Sequence, residues 1–176
     1  MKSKEIPVCG LSAVQARFKA NAASIKRLYF DYPTGRKIGV MCKVLAQARK
    51  VYRCVEPPEL EKISGTVHHG GIVAIVEAAQ LRSPEAGDLA RWARARTPLL
   101  ILDRIGNAHN LGAIARTAAF FGVENIIVAD HPQQALPGES AHRVAEGGLE
   151  SVTLFVVADL AAFCRELSLS YRVVGT

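Results

Sequence analysis

Two regions of the chain are strongly patterned, and a looser stretch separates them. After Gly10, Val14, Phe18 and Ala22 recur at i, i+4 and i+8, the spacing of one helix face, with Arg17 and Lys19 off it. Residues 25–30 (IKRLYF) suit a short strand, and DYPTGRK breaks regular structure at Pro33 and Gly35. Residues 38–50 (IGVMCKVLAQARK) predict a second helix, whose basic last turn suits the negative end of the helix dipole. VYRCV predicts a strand, EPPELEKISG a turn with a short helix, and GIVAIVEA an apolar strand. The second patterned region opens with the strand PLLILDRI and the loop GNAHN. The helix LGAIARTAAFFG follows and ends at Gly122, a natural position just past a helix. ENIIVAD and VTLFVV read as strands, DLAAFCREL as a helix capped by Asp159, and YRVVGT as a further strand. Strands alternating with helices predict an α/β fold, doubly wound in the second region. Residues 79–97 carry Pro84 and Gly87 and a short basic helix, DLARWARAR. They are read as a linker between a domain at 1–78 and a domain at 98–176.

Composition sharpens this picture in one respect. With 49% hydrophobic and 22% charged residues, the chain can bury an ordinary core. The net charge of +6 is unevenly placed. Residues 1–78 hold 13 Lys and Arg against 6 Asp and Glu, and the remainder hold 9 against 10. A basic module beside a near-neutral one points to a polyanionic partner for the first region. No apolar run approaches the roughly 18–20 residues that span a bilayer. MKSKEIPVCG has no apolar signal core, so the expectation is a cytoplasmic protein without a membrane partner. Cys9, Cys42, Cys54 and Cys164 form no CxxC pair and fit no zinc spacing. They read as reduced, half-buried thiols, and no metal site is expected.

The chemistry concentrates in LDRIGNAHNLGAIARTAAFFG. A strand delivers the chain to a polar loop, which feeds a helix with one arginine, Arg116, among alanines and phenylalanines. A buried arginine there needs a carboxylate, with Asp103 the nearest candidate, or a bound anion such as phosphate. Arg116 lies six residues after Asn110, roughly 600° of helix rotation, so the two would not share a helix face. Asn110 is therefore expected at or before the first turn. A second candidate is GTVHHGG. His68 and His69 are adjacent, so in extended chain they point to opposite sides and do not suit one metal. The loop can offer backbone N–H groups to a phosphate, or it can be a turn that simply needs glycine.

These segments carry a family resemblance. LDRIGNAHNLGAIARTAAFFGVENIIVAD resembles the first signature motif of the SpoU/TrmH RNA 2′-O-ribose methyltransferases, with Asn110, Gly112, Arg116, Thr117, Ala118, Phe121 and Gly122 at its positions. HRVAEGGLESV is similar to the segment that follows, a Gly-rich turn before a Val-rich strand. CGLSAVQA, the LYF strand and GTVHHGGIVAIVE resemble the family's N-terminal substrate-binding domain. The resemblance implies a ribosomal-protein-like α/β RNA-binding domain, then the first part of an α/β-knot (SPOUT), Rossmann-like domain. It implies S-adenosyl-L-methionine-dependent 2′-O-methylation of tRNA or rRNA, with RNA and not DNA as partner, by a homodimer. It places Arg116 at the substrate ribose, with Asn110 orienting it. A guanidinium with a pKa above about 12 is a poor base, so holding the phosphate and stabilising a developing alkoxide is the easier role. His68, His69, Gly70, Arg17 and Lys19 are the implied RNA contacts. In the family the cofactor lies in a trefoil knot built by the last third of the chain. Two further motifs of that third are absent from these residues, and only Gly175 and Thr176 match cofactor-lining positions. The chain as given is therefore expected to hold S-adenosyl-L-methionine weakly or not at all. The alternative is a non-catalytic RNA-binding protein or inactive fragment.

Other enzyme classes lack their signatures. HHGG would suit the oxyanion loop of an α/β-hydrolase, but GESAH lacks the second glycine of a G-x-S-x-G elbow. IGNAHNLG does not supply the G-x-G-x-x-G of a nicotinamide site.

Overall fold

The computed structural model describes residues 5–78 and 81–175, which form two separate β-sheets. The first sheet has the order β1 (Glu5–Cys9), β4 (Ile72–Glu77), β2 (Ile25–Phe30), β3 (Val51–Cys54). β4 runs antiparallel to both β1 and β2, while β2 and β3 are parallel. The uninterrupted apolar run of β4 reflects its central place, since both of its faces are covered. Ile72, Ala74 and Val76 pack with Val8, Leu28 and Val14, whereas Val73 and Ile75 pack with Leu60 and Cys9. Four helices complete this unit: α1 (Leu11–Asn21), α2 (Tyr32–Gly35), α3 (Gly39–Gln47) and α4 (Pro57–Ser64). The predicted break at DYPTGRK is a single helical turn, because the Asp31 side chain accepts a hydrogen bond from the Thr34 amide at 2.9 Å. β1 was not foreseen in the pattern. Its Pro7 is tolerated because the strand lies at the sheet edge.

The second sheet is parallel, in the order β5 (Leu99–Leu102), β6 (Asn125–Ala129), β7 (Thr153–Val157). Helix α6 (Ala108–Phe120) links β5 to β6, and α7 (Glu139–Ala145) precedes β7 through a short 3₁₀ turn at Gly148–Glu150. Both pack on one face of β6, over Ile126 and Val128. On the other face Ile127 meets Trp92 of α5 (Ala86–Ala95) and Phe163 of α8 (Leu160–Leu167), which makes three layers. The stretch read as a linker does more than connect. From Leu81 onward it joins the second unit, with Arg82 bridged to Phe155 of β7 and the Trp92 ring edge-on to Phe155 at 5.0 Å. The buried Asp88 holds Arg82 and Arg91, whose hydrogen bonds keep its carboxyl well below the ordinary carboxylate range. The YRVVGT strand does not form within the described residues. Tyr171 donates from its hydroxyl to the Thr97 carbonyl at 3.0 Å, and Arg172–Gly175 continue as exposed, irregular chain. A strand needs a paired neighbour, and this segment has none among the described residues. Thr176 lies outside the described residues.

Helix α6 lies close to α7 and to the 3₁₀ turn because two positions have no side chain. A Cβ on Gly112 would lie 2.5 Å from the Ala141 carbonyl oxygen, and one on Gly148 would lie 2.6 Å from Cα of Arg116. Both collisions are with backbone, which cannot rotate away. Gly112→Ala is expected to cost about 1–3 kcal/mol through overpacking, read as a lower midpoint in a thermal melt. An unchanged midpoint would show that the two helices separate freely.

The two units meet along one seam. α7 packs against β1, and the 3₁₀ turn packs against α1. Arg17 of α1 and Glu150 of the turn form a buried ion pair across it, Nε to Oε2 at 3.0 Å, and His142 Nδ1 lies 3.4 Å from the other carboxylate oxygen.

Candidate functional site

The ends of β5 and β6 deliver two loops that are tied together. Gln134 is buried, accepts from the Ile105 amide at 3.2 Å and donates to the Ile105 carbonyl at 3.3 Å. The Ala135 amide adds a bond to the same carbonyl at 2.8 Å. This clamp holds the loop that opens α6. Asn107 caps that helix, its side chain accepting from the His109 amide at 2.8 Å. Asn110 falls in the first turn, as its spacing required, and is exposed. It is nonetheless helical, so it points about 120° away from the face of Arg116, roughly 9 Å further along the axis. No hydrogen bond joins Asn110 to Arg116 among the described residues.

Arg116 is not the buried arginine its neighbours suggested. Leu111, Ala115 and Ala118 form the buried stripe of α6, and Arg116 lies off it. Its side chain is 55% exposed and faces Glu146 of the α7 terminus, Nη1 to Oε1 at 3.3 Å, with Glu146 65% exposed. The alternative partner is excluded as well, because Asp103 pairs with its neighbour Arg104 at 3.0 Å. One turn beyond Arg116, Phe120 and Phe121 project into solvent as an edge-to-face pair, with ring centroids 5.1 Å apart.

The GTVHHGG loop divides in two. His69 is buried, its Nδ1 accepting from the Gly71 amide at 3.1 Å and its carbonyl accepting from the Gly10 amide at 3.1 Å. Gly70 and Gly71 take left-handed backbone, and a Cβ on Gly71 would collide with Asp31 and Thr34. That half is a packed turn that needs glycine. His68 is exposed. Lys19 is also exposed, whereas Arg17 is committed to Glu150 in the seam and is not free for an external phosphate. Of the thiols, Cys9 is buried and Cys54 exposed, and burial pushes the Cys9 pKa up to about 12.

One polar side chain that pattern alone did not single out joins the loop to α6. Arg143 of α7 donates from Nη1 to Thr66 Oγ1 at 3.3 Å, and its Nη2 lies 3.4 Å from His109 Nε2. The only sequence signal for this pairing was the His-Arg dipeptide at 142–143 ahead of the glycines. Gly175, the one implied cofactor position among the described residues, is exposed with open space where a side chain would be.

Comparison with known proteins agrees with this architecture. Residues 7–82 match the family described as RNA 2′-O ribose methyltransferase substrate binding, and residues 97–176 match the SpoU rRNA Methylase family. An uncharacterized tRNA/rRNA methyltransferase of Haemophilus influenzae is 38% identical over 154 residues, 86% of this chain and 42% of the relative. The 23S rRNA (guanosine-2′-O-)-methyltransferase RlmB of Ralstonia nicotianae is 32% identical over 178 residues, 99% of this chain and 70% of the relative. Among solved structures, the AdoMet-bound rRNA methyltransferase of Sinorhizobium meliloti superposes with a TM-score of 0.64 at 22% identity, over 94% of this chain and 59% of that one. The chain belongs to the SpoU methyltransferase family, with that family's substrate-binding unit ahead of its methylase unit. It spans less than half the length of the Haemophilus relative.

Proposed function

We propose that these residues are the RNA-binding unit and the ribose-positioning part of an S-adenosyl-L-methionine-dependent 2′-O-methyltransferase of tRNA or rRNA, working in the cytoplasm as a homodimer. The observation that carries the reading is Arg116. It stands at the family's motif position, on the outer face of α6, with its charge only partly met by an exposed glutamate. A planar guanidinium placed there can grip a phosphate and stabilise charge on a ribose oxygen. The cofactor of this family supplies the methyl group. The 176 residues by themselves hold it weakly on this reading, since Gly175 sits in open, irregular chain.

The test begins with RNA. The chain should bind an rRNA stem-loop in a fluorescence-anisotropy titration. Log affinity should fall with log salt by roughly 0.7–0.9 for each phosphate contact. No binding at low salt would end the reading. Binding without methyl transfer, in a polypeptide that carries the cofactor-binding segment of its relatives, would favour a non-catalytic RNA-binding protein.

A further inference from the structure

Among the described residues, no carboxylate lies within ion-pair distance of Arg143. The arginine is half-buried where the two units meet, and its polar partners among the described residues are Thr66 Oγ1 from the first unit and His109 Nε2 from α6. An arginine has only donors, so in that contact His109 Nε2 can only be the acceptor. Neither partner carries a negative charge. Glu139, one turn back on α7, lies outside ion-pair distance, and Glu146, one turn on, is taken by Arg116. A partly desolvated guanidinium with no described carboxylate beside it favours an anion, and among the described residues most of its five N–H donors have no partner.

The position gives that anion an identity. His109 and Arg116 are seven residues apart on α6, within about 20° of one face and about 10.5 Å apart along the axis. Arg143 and Glu146 stand opposite them on α7. The polar line therefore runs from the exposed loop of the first unit, at Thr66 and His68, along α6 and α7 to Arg116.

We propose that Arg143, set between Thr66 and His109, binds a backbone phosphate of the RNA strand whose ribose reaches Arg116, so that both units hold one strand. This rests on the RNA-methyltransferase reading. Arg143 is then a substrate-binding residue, Thr66 and His109 position it, and a planar fork is suited to the two oxygens of a phosphodiester.

The experiment uses the full chain and a labelled rRNA stem-loop, titrated at several salt concentrations, with thermal melts of every variant. Arg143→Ala is expected to weaken binding on the order of tenfold and to lower the salt slope by about one. Arg143→Lys keeps the charge and should keep the slope while losing part of the affinity. Arg165→Ala, on the exposed side of α8 beyond the opposite sheet face, is the control and should change neither. Should Arg143→Ala fail to fold, Arg143→Gln is read in its place, and His109→Ala should then weaken binding less than either. A folded Arg143→Ala or Arg143→Gln with wild-type affinity and slope overturns the proposal while leaving the RNA reading intact. Wild-type protein that does not bind the stem-loop overturns both. Inorganic phosphate separates the sources of the anion. If phosphate raises the wild-type melting midpoint and Arg143→Ala abolishes that rise without touching the RNA slope, the site takes a free phosphate and the strand-binding proposal fails.

Discussion

Arg17→Ala is expected to destabilise the protein by about 3–5 kcal/mol, the cost of removing one partner from a buried ion pair. Arg17 and Glu150 are only 11% and 6% exposed, and they form an ion pair across the seam between the two units. Around them lies a cavity of about 240 Å³ with Ile6, Leu81, Leu149 and Leu154 in its walls. Truncating Arg17 leaves the Glu150 carboxylate facing those side chains with His142 as its remaining polar neighbour. Water entering the enlarged cavity would hold the loss toward the lower figure. Because the pair couples the units, denaturant unfolding of Arg17→Ala should broaden or split into two steps, against an expected single step for the parent. Arg17→Met combined with Glu150→Leu should recover most of the loss, since both charges are then gone and the volume is kept. A single-variant loss under about 1 kcal/mol would show that the seam is held by α7 against β1, with the ion pair incidental.

The periodic elements were legible in the sequence because each answers to its own face. α1, α3, β2, β4 and the β5–α6–β6 succession all fall where apolar spacing puts them. α7 was read as a Gly-rich turn, because its seven residues are too few to show a period and Gly147 and Gly148 follow directly. Those glycines let the turn after α7 lie on α1 and on Arg116, a contact between distant segments that no local pattern encodes. The apolar neighbours of Arg116 misrepresented its surroundings. An arginine among alanines looks buried, yet on a helix a residue next to the buried Ala115 is turned about 100° away from it. Arg17 was misread for the opposite reason. It looked like a polar-face residue until Glu150, from the other end of the chain, covered it. Charge composition showed a basic module and could not show which of its cations were already paired.

Arg116→Ala, in an active polypeptide containing these residues, is expected to lower single-turnover methyl transfer about 10²- to 10³-fold, the usual cost of one preorganised transition-state contact. Its stability should barely change. The Arg116–Glu146 pair is more than half exposed on both sides, and such pairs contribute about 0–1 kcal/mol. This separation makes the experiment decisive, because a core arginine would have lost both properties together. Arg116→Lys should lose most of the rate as well, since lysine keeps the charge without the planar fork that grips a phosphate and a hydroxyl at once. Asn110→Ala should cost less, because Asn110 points away from Arg116 and holds no bond to it. Glu146→Gln should leave Arg116 in place and remove the carboxylate it pairs with, so RNA binding should strengthen slightly while the rate is kept. The measurement pairs thermal melts with single-turnover methylation of a bound stem-loop. A folded Arg116→Ala protein turning over at near the parent rate would remove Arg116 from the chemistry and leave it as a surface partner of Glu146.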